Sequence, residues 1–254
     1  MRLRVDLDQQ ESIELNPAAA ARLNVQWERG YDLEVGRVRL PGREAPVRMR
    51  IAGGLIPTQV SEHGRDCCVG SDGAIGPDLL PYAIVRWRNP SAPSPAMPLT
   101  LPVETNSETG LSVSAGVAGV RLRFAFTLPR SVATASAGAR LARLWGGSWA
   151  GPPGRIPLAF GTARPARAMV FVRPDRLAGF RFDRMMVRTG DFEGQEKLPE
   201  DRALPGELVV RKGLPPQHGW AAVTIGADRL ARCAEIVYRA APRSLTLDCA
   251  FDVP

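Results

Sequence analysis

Ile75-Gly76-Pro77-Asp78-Leu79-Leu80 and Ile225-Gly226-Ala227-Asp228-Arg229-Leu230 are one short pattern written twice in the same chain. Ile-Gly ahead of Asp-x-Leu suits a strand that runs into a short helical turn, where Gly permits close backbone approach and Asp can cap the turn. The segments downstream of the two copies also correspond. An apolar pair comes next, Ile84-Val85 and Ile236-Val237, then an aromatic with an Arg, Trp87-Arg88 and Tyr238-Arg239. Each copy closes on the same tripeptide, Leu99-Thr100-Leu101 and Leu245-Thr246-Leu247. Period-two segments around a Pro-bearing turn predict β-hairpins. A single match of this kind is within chance; the same order twice, with matching sequels, predicts a duplicated unit.

The upstream parts agree. Ser12-Ile13-Glu14-Leu15-Asn16-Pro17 leads into the Ala-rich run Ala18–Leu23, and Ser131-Val132-Ala133-Thr134-Ala135-Ser136 leads into Ala137-Gly138-Ala139-Arg140-Leu141. Both predict a short strand, then a helical turn capped by Asn-Pro or Ser, with Ala and Leu lying on a sheet behind it. The join falls near Glu104-Thr105-Asn106-Ser107, which gives two units, 1–105 and 106–254. The extra length of the second lies around Trp145–Pro216. Within it, Gly146–Gly154 predicts a turn beside the second helix and lacks the Lys of a phosphate loop. Thr189–Leu208, with acidic Asp191, Glu193, Glu196, Glu200 and Asp201 among its residues, predicts a polar surface excursion. Pro (23) and Gly (25) are spread along the whole chain, as many short strands and frequent turns require.

The net charge of +7 raises a nucleic-acid reading. It is set aside. Lysine occurs only at Lys197 and Lys212, and the arginines are strewn singly, in the manner of a solvated basic surface and of a GC-rich genome. No stretch approaches the roughly 20 apolar residues of a membrane span. The charged start, Met1–Asp6, has no apolar signal core. The expected location is cytoplasmic if Met1 is the native start, and periplasmic or secreted if a leader has been removed. Cys233 and Cys249 flank the second hairpin, whose turn falls near Ala241-Pro242-Arg243, and are candidates to pair across it in an oxidising compartment. Cys67 and Cys68, with His63 nearby, do not match a zinc spacing and are read as buried thiols. No metal or cofactor is expected. His218 is far in sequence from any Ser or Cys nucleophile. Trp145, Trp149 and Trp220 are candidates to line a groove or to belong to the core.

This order of elements resembles the aspartic peptidases, in their bacterial retropepsin-like and two-lobed pepsin-like forms. There each lobe opens with a strand and Asp-Thr-Gly-Ala/Ser. A helix and a flap hairpin come after it, and the lobe closes with a hydrophobic-hydrophobic-Gly-x-Asp-x-Leu element and a final hairpin. Leu7-Asp8-Gln9-Gln10-Glu11-Ser12 stands in the place of the first opening motif, and Arg123–Ser131 in that of the second. The closing elements are Ala74–Leu80 and Ala222–Leu230. The resemblance implies a mainly β, bilobed molecule of two pseudo-symmetric closed β lobes with short helices. It also implies an inter-lobe cleft containing Asp8, Gln9, Gln10, Ser12, Phe126, Thr127 and Arg130.

The chemistry of that family needs a carboxylate from each lobe. Two carboxyls in contact share a proton, so one serves as acid while the other activates water. The first unit offers Asp8, with Gln9-Gln10 after it where Thr-Gly is needed, and the second has no Asp between Phe124 and Ser136. Asp6 and Asp8, alternate residues of one strand, would point the same way and lie in one lobe, as a solvated strand end. The expected function is therefore a catalytically inactive relative that binds a peptide or partner protein. The alternatives are an active aspartic-type endopeptidase with a divergent site, and a structural or assembly scaffold.

Overall fold

The computed structural model describes residues 1–9, 12–35, 38–51, 53–93, 97–106, 110–190 and 221–251. The fold is mainly β, with three open sheets and short helices. The first sheet comprises β1 (Leu3–Val5), β2 (Ser12–Leu15), β3 (Arg29–Val35), β4 (Val38–Ile51), β5 (Gly54–Glu62) and β6 (Gly73–Ile75), with α1 (Pro17–Arg22) after β2. Its order is β1-β6-β2-β5-β4-β3. The neighbours run parallel, antiparallel, parallel, antiparallel and antiparallel.

Next along the chain come β7 (Ile84–Arg88), β8 (Met97–Pro102), β9 (Glu104–Asn106), β10 (Gly110–Ser114), β11 (Arg121–Phe124) and β12 (Val132–Ala133). Beyond α2 (Ala135–Trp145) lie β13 (Gly147–Pro157), β14 (Ala163–Leu177), β15 (Phe180–Arg188) and β16 (Ala222–Ile225). The second sheet is ordered β13-β14-β15-β12-β16-β11-β10-β9. Read from β11 to β13, its strands show the same succession of parallel and antiparallel neighbours as the first sheet from β1 to β3. Strands β9 and β10 extend it at the far edge.

The chain ends in α3 (Ala227–Leu230), β17 (Cys233–Ala240) and β18 (Arg243–Cys249). Here the two hairpins expected from sequence meet differently. Strands β17 and β18 pair with each other, but β7 pairs with β17 and β8 with β18, in a third sheet ordered β7-β17-β18-β8. The length of the connection 89–96 allows β7 and β8 to stand apart. Eight extended residues reach up to about 26 Å, whereas three strand spacings need only about 14 Å.

Closed lobes were expected; among the described residues none of the three sheets closes, and each has two edge strands. Gly146–Gly154 is mostly strand β13 rather than a turn, and its Gly and Pro residues are accommodated by a register shift between Ala150 and Gly154. Capping also differs from expectation. Thr134, not Ser136, caps α2, its Oγ1 accepting from Ala137 N at 3.1 Å. Helix α2 then buries Ala137, Gly138, Leu141 and Trp145, one face at helical spacing. Trp145 packs edge-on against Phe171, with ring centroids 5.2 Å apart, and is a core residue.

Two main cores result, with a minor cluster of Val132, Ile156 and Ala166 beside them. Ile13, Leu15, Ala20, Ala45, Val60 and Ile75 form the smaller one. The larger gathers α2 and the second sheet together with Tyr238, Leu245 and Leu247 of the third, and takes in Leu7 from the loop after β1. Cys233 and Cys249 are directly paired in the β17–β18 register and form a buried disulfide. Cys67 and Cys68, read from sequence as thiols, are bonded to each other.

Candidate functional site

The two Ile-Gly elements build the site. Val5 pairs with Ile75 and Phe124 with Ile225, and the next amides continue both ladders. Asp6 N donates to Ile75 O and Ala125 N to Ile225 O, both at 3.0 Å. Both Gly residues are sterically required. A Cβ on Gly76 would lie 2.2 Å from Gln9 O, and one on Gly226 would lie 2.6 Å from the Arg130 carbonyl carbon. The loops after β1 and β11 are thereby pressed onto their closing elements. In place of a cap on its own turn, Asp228 holds the second loop: its Oδ1 accepts from Ser131 N at 2.7 Å and Ser131 Oγ at 2.8 Å.

The corresponding positions of the two loops are therefore Asp6 and Ala125, then Leu7 and Phe126, then Asp8 and Thr127. Strand β1 ends at Val5 and residues 7–8 form a turn, so Asp6 and Asp8 depart from the strand alternation expected of them. Nor is Asp6 a solvated strand end, being only 3% exposed. Its Oδ1 accepts from Asp8 N at 3.1 Å, and its Oδ2 has no hydrogen-bond partner among the described residues. Burial is the largest influence on this carboxyl and raises its pKa to about 6. The Asp8 charge raises it further, whereas the Asp8 and Phe126 amides and the Arg4 charge pull it down.

Asp6, Asp8 and Gln9 from one loop, with Thr127, Leu128 and Pro129 from the other, line a cleft of about 880 Å³. An ion pair crosses it, Arg123 Nη2 to Asp8 Oδ1 at 2.6 Å, with both side chains about a third exposed. The segment 63–72 forms a further part of the wall and is pinned by Asn16. Instead of capping α1, Asn16 Oδ1 accepts from Cys67 N (2.9 Å) and Cys68 N (3.3 Å), and its Nδ2 donates to Cys68 O and Ser71 O, both at 2.9 Å.

Behind that wall lies a buried polar cluster. Ser61 Oγ donates to Glu14 Oε2 at 2.6 Å, His63 Nδ1 lies 3.0 Å from Glu14 Oε1, and the Ser12 and Ser61 hydroxyls are 3.0 Å apart. The His63 ring meets Phe160 edge-on at 5.3 Å between centroids. The serine donates to the carboxylate rather than to the histidine, so this is not the order of a nucleophilic triad.

Of the residues expected at the cleft, the structure brings Asp8, Gln9 and Thr127 to it. Ser12 lies in the cluster behind the wall. Phe126 packs on Trp87 with centroids 5.7 Å apart, and Arg130 is exposed away from the lining. Gln10, Trp220, His218 and residues 191–208 of the acidic excursion fall outside the described residues. Trp149 is exposed and is not in the cleft wall. The residues that sequence reading missed are Asp6 and the arginines Arg4, Arg65, Arg123, Arg164 and Arg188. Only the alignment of Arg4 with Arg123, each two residues before the loop position held by Asp6 or Ala125, could have been found from the two Ile-Gly patterns. Among the described residues no cluster suited to holding a metal occurs, and no helix is long and apolar enough to cross a membrane. No protein-family model matches the chain, and no curated protein matches it.

Proposed function

We propose that the chain is a two-lobed protein of aspartic-peptidase-like architecture, with lobes 1–105 and 106–254, whose inter-lobe cleft binds an extended peptide or partner segment without cutting it. The strand succession shared by the two sheets supports the architecture. So does the third sheet, in which the closing strands of the first unit flank those of the second. In this reading the opening acid of the first lobe is Asp6, two residues before Asp8. Asp6-Leu7-Asp8 stands for Asp-Thr-Gly, and the Asp8 N–H reaches the Asp6 carboxyl as the Gly N–H of that motif would.

The observation that carries the function is that Ala125 is the counterpart of Asp6. A lone carboxyl has no partner with which to share a proton, and the division into acid and base is lost. Leu7 and Phe126, in the places of the two threonines, join the apolar core instead of offering hydroxyls. What remains is a groove between open sheets, suited to pairing with an extended chain along a strand edge.

The test is incubation with denatured protein substrates from pH 3 to 8, together with anisotropy titrations of labelled extended peptides. Saturable binding with no turnover is expected. One observation favours a second reading, an active hydrolase: two carboxyls of one loop, Asp6 and Asp8, face the same cleft, and one retains its proton up to about pH 6. Cleavage that is blocked by a statine-type inhibitor and lost in Asp6→Asn would establish it. A stoichiometric protein partner captured in the absence of any peptide binding would establish a scaffold.

A further inference from the structure

Among the described residues the cleft wall carries more positive than negative side chains, and they come from both sheets. Arg4 and Arg123 occupy matching positions on β1 and β11. Arg65 projects from the segment pinned by Asn16, while Arg164 and Arg188 lie on β14 and β15. Against these five stand Asp6, Asp8 and Asp66. Asp8 is already matched by Arg123. Arg4 and Arg164 donate to backbone carbonyls, Val69 O and Gly190 O, both at 3.0 Å. A guanidinium has five N–H donors, so the bond from Arg4 to one carbonyl leaves capacity for a ligand. Arg65 is exposed and donates no hydrogen bond among the described residues.

From this arrangement we infer that the ligand of the cleft is an acidic peptide, an extended segment whose Asp or Glu side chains are received by Arg4 and Arg65, with Arg164 and Arg188 adding to the positive charge of the wall. The inference rests on the peptide-binding reading above and adds the ligand's chemistry to it. Guanidinium groups recognise carboxylates by paired N–H···O bonds, and a concave wall of moderate polarity strengthens such bonds relative to open water. The same charges could attract a nucleic-acid backbone, but two features oppose that partner. Asp8 and Asp66 would repel a continuous line of phosphates, and among the described residues the wall has one aromatic ring, Phe160, where single strands need successive stacking platforms.

The experiment uses the full chain and three fluorescent probes at pH 7.5: an extended octapeptide with three Glu, its Gln isostere, and a single-stranded oligonucleotide. The acidic peptide is expected to bind about tenfold more tightly than the isostere, as a few partly exposed ion pairs provide. That ratio should shrink as NaCl is raised from 20 to 300 mM. Arg65→Gln should lower the ratio about threefold, and Arg239→Gln, an exposed arginine on β17 away from the cleft, should leave it unchanged. Thermal melts of both variants exclude unfolding as the cause. Equal affinity for the two peptides, or a ratio indifferent to Arg65→Gln, overturns the acidic selectivity and leaves the binding cleft standing. If neither peptide binds, both readings fall. Preferential binding of the oligonucleotide, weakened by Arg65→Gln, replaces the peptide with a nucleic acid.

Discussion

Replacing Asp6 by Asn tests the electrostatics of the cleft floor directly. The Asp6 carboxyl has its pKa raised from 3.8 to about 6, chiefly by burial. The folded state thus holds a proton that the unfolded chain releases. For a carboxyl shifted upward, the stabilisation is complete below about pH 3.8 and is lost as pH rises through about 6. At roughly 1.4 kcal/mol per pH unit, the whole span corresponds to about 3 kcal/mol, of which about 2 kcal/mol falls between pH 4.5 and 7.5. Asn keeps the acceptor for Asp8 N and never ionises. Urea denaturation monitored by tryptophan fluorescence at several pH values gives the stability difference between the two proteins. Contributions from other titrating groups cancel in that difference, including Asp72 and Glu235, whose pKa values are lowered by hydrogen bonds from Arg2 and Arg22 and from Arg88 respectively. Relative to the wild type, Asp6→Asn should gain about 2 kcal/mol on going from pH 4.5 to 7.5. Parallel stability curves across that range would contradict this account, since they would mean that Asp6 ionises as freely in the fold as in water.

Three further outcomes are expected. Gly76→Ala places a methyl group against the Gln9 carbonyl and should cost about 1–3 kcal/mol in urea unfolding, because backbone rather than a mobile side chain must yield. Thr134→Ala removes an acceptor shared by Ala137 N and Ala222 N, and should lower stability by about 1–2 kcal/mol without changing helix content by circular dichroism. Replacing Cys233 and Cys249 together by Ala opens a loop closed across 16 positions and should cost about 3 kcal/mol. Dithiothreitol should then destabilise the wild type by about 3 kcal/mol more than the double variant, in which only the Cys67–Cys68 bond is left to reduce.

Most strands and the points of close approach at the two Ile-Gly elements were legible in the linear chain. Ile-Gly recurs because a Cβ cannot fit at Gly76 or Gly226, and such a steric demand is visible wherever it repeats. The pairing of Cys233 with Cys249 was legible for a similar reason, since a short turn fixes hairpin register. Which acid faces the cleft was settled only by folding. Alternation holds only inside a strand, and β1 stops one residue before Asp6. The same is true of the shared third sheet, where period-two patterning marks β7 and β8 as strands but carries no record of their partners. It is true again of the arginines, which are scattered from Arg4 to Arg188 and become one wall only when the chain folds. Local sequence encodes the direction a side chain takes from its own strand. The meeting of such directions depends on contacts between residues far apart in the chain, which no local pattern records.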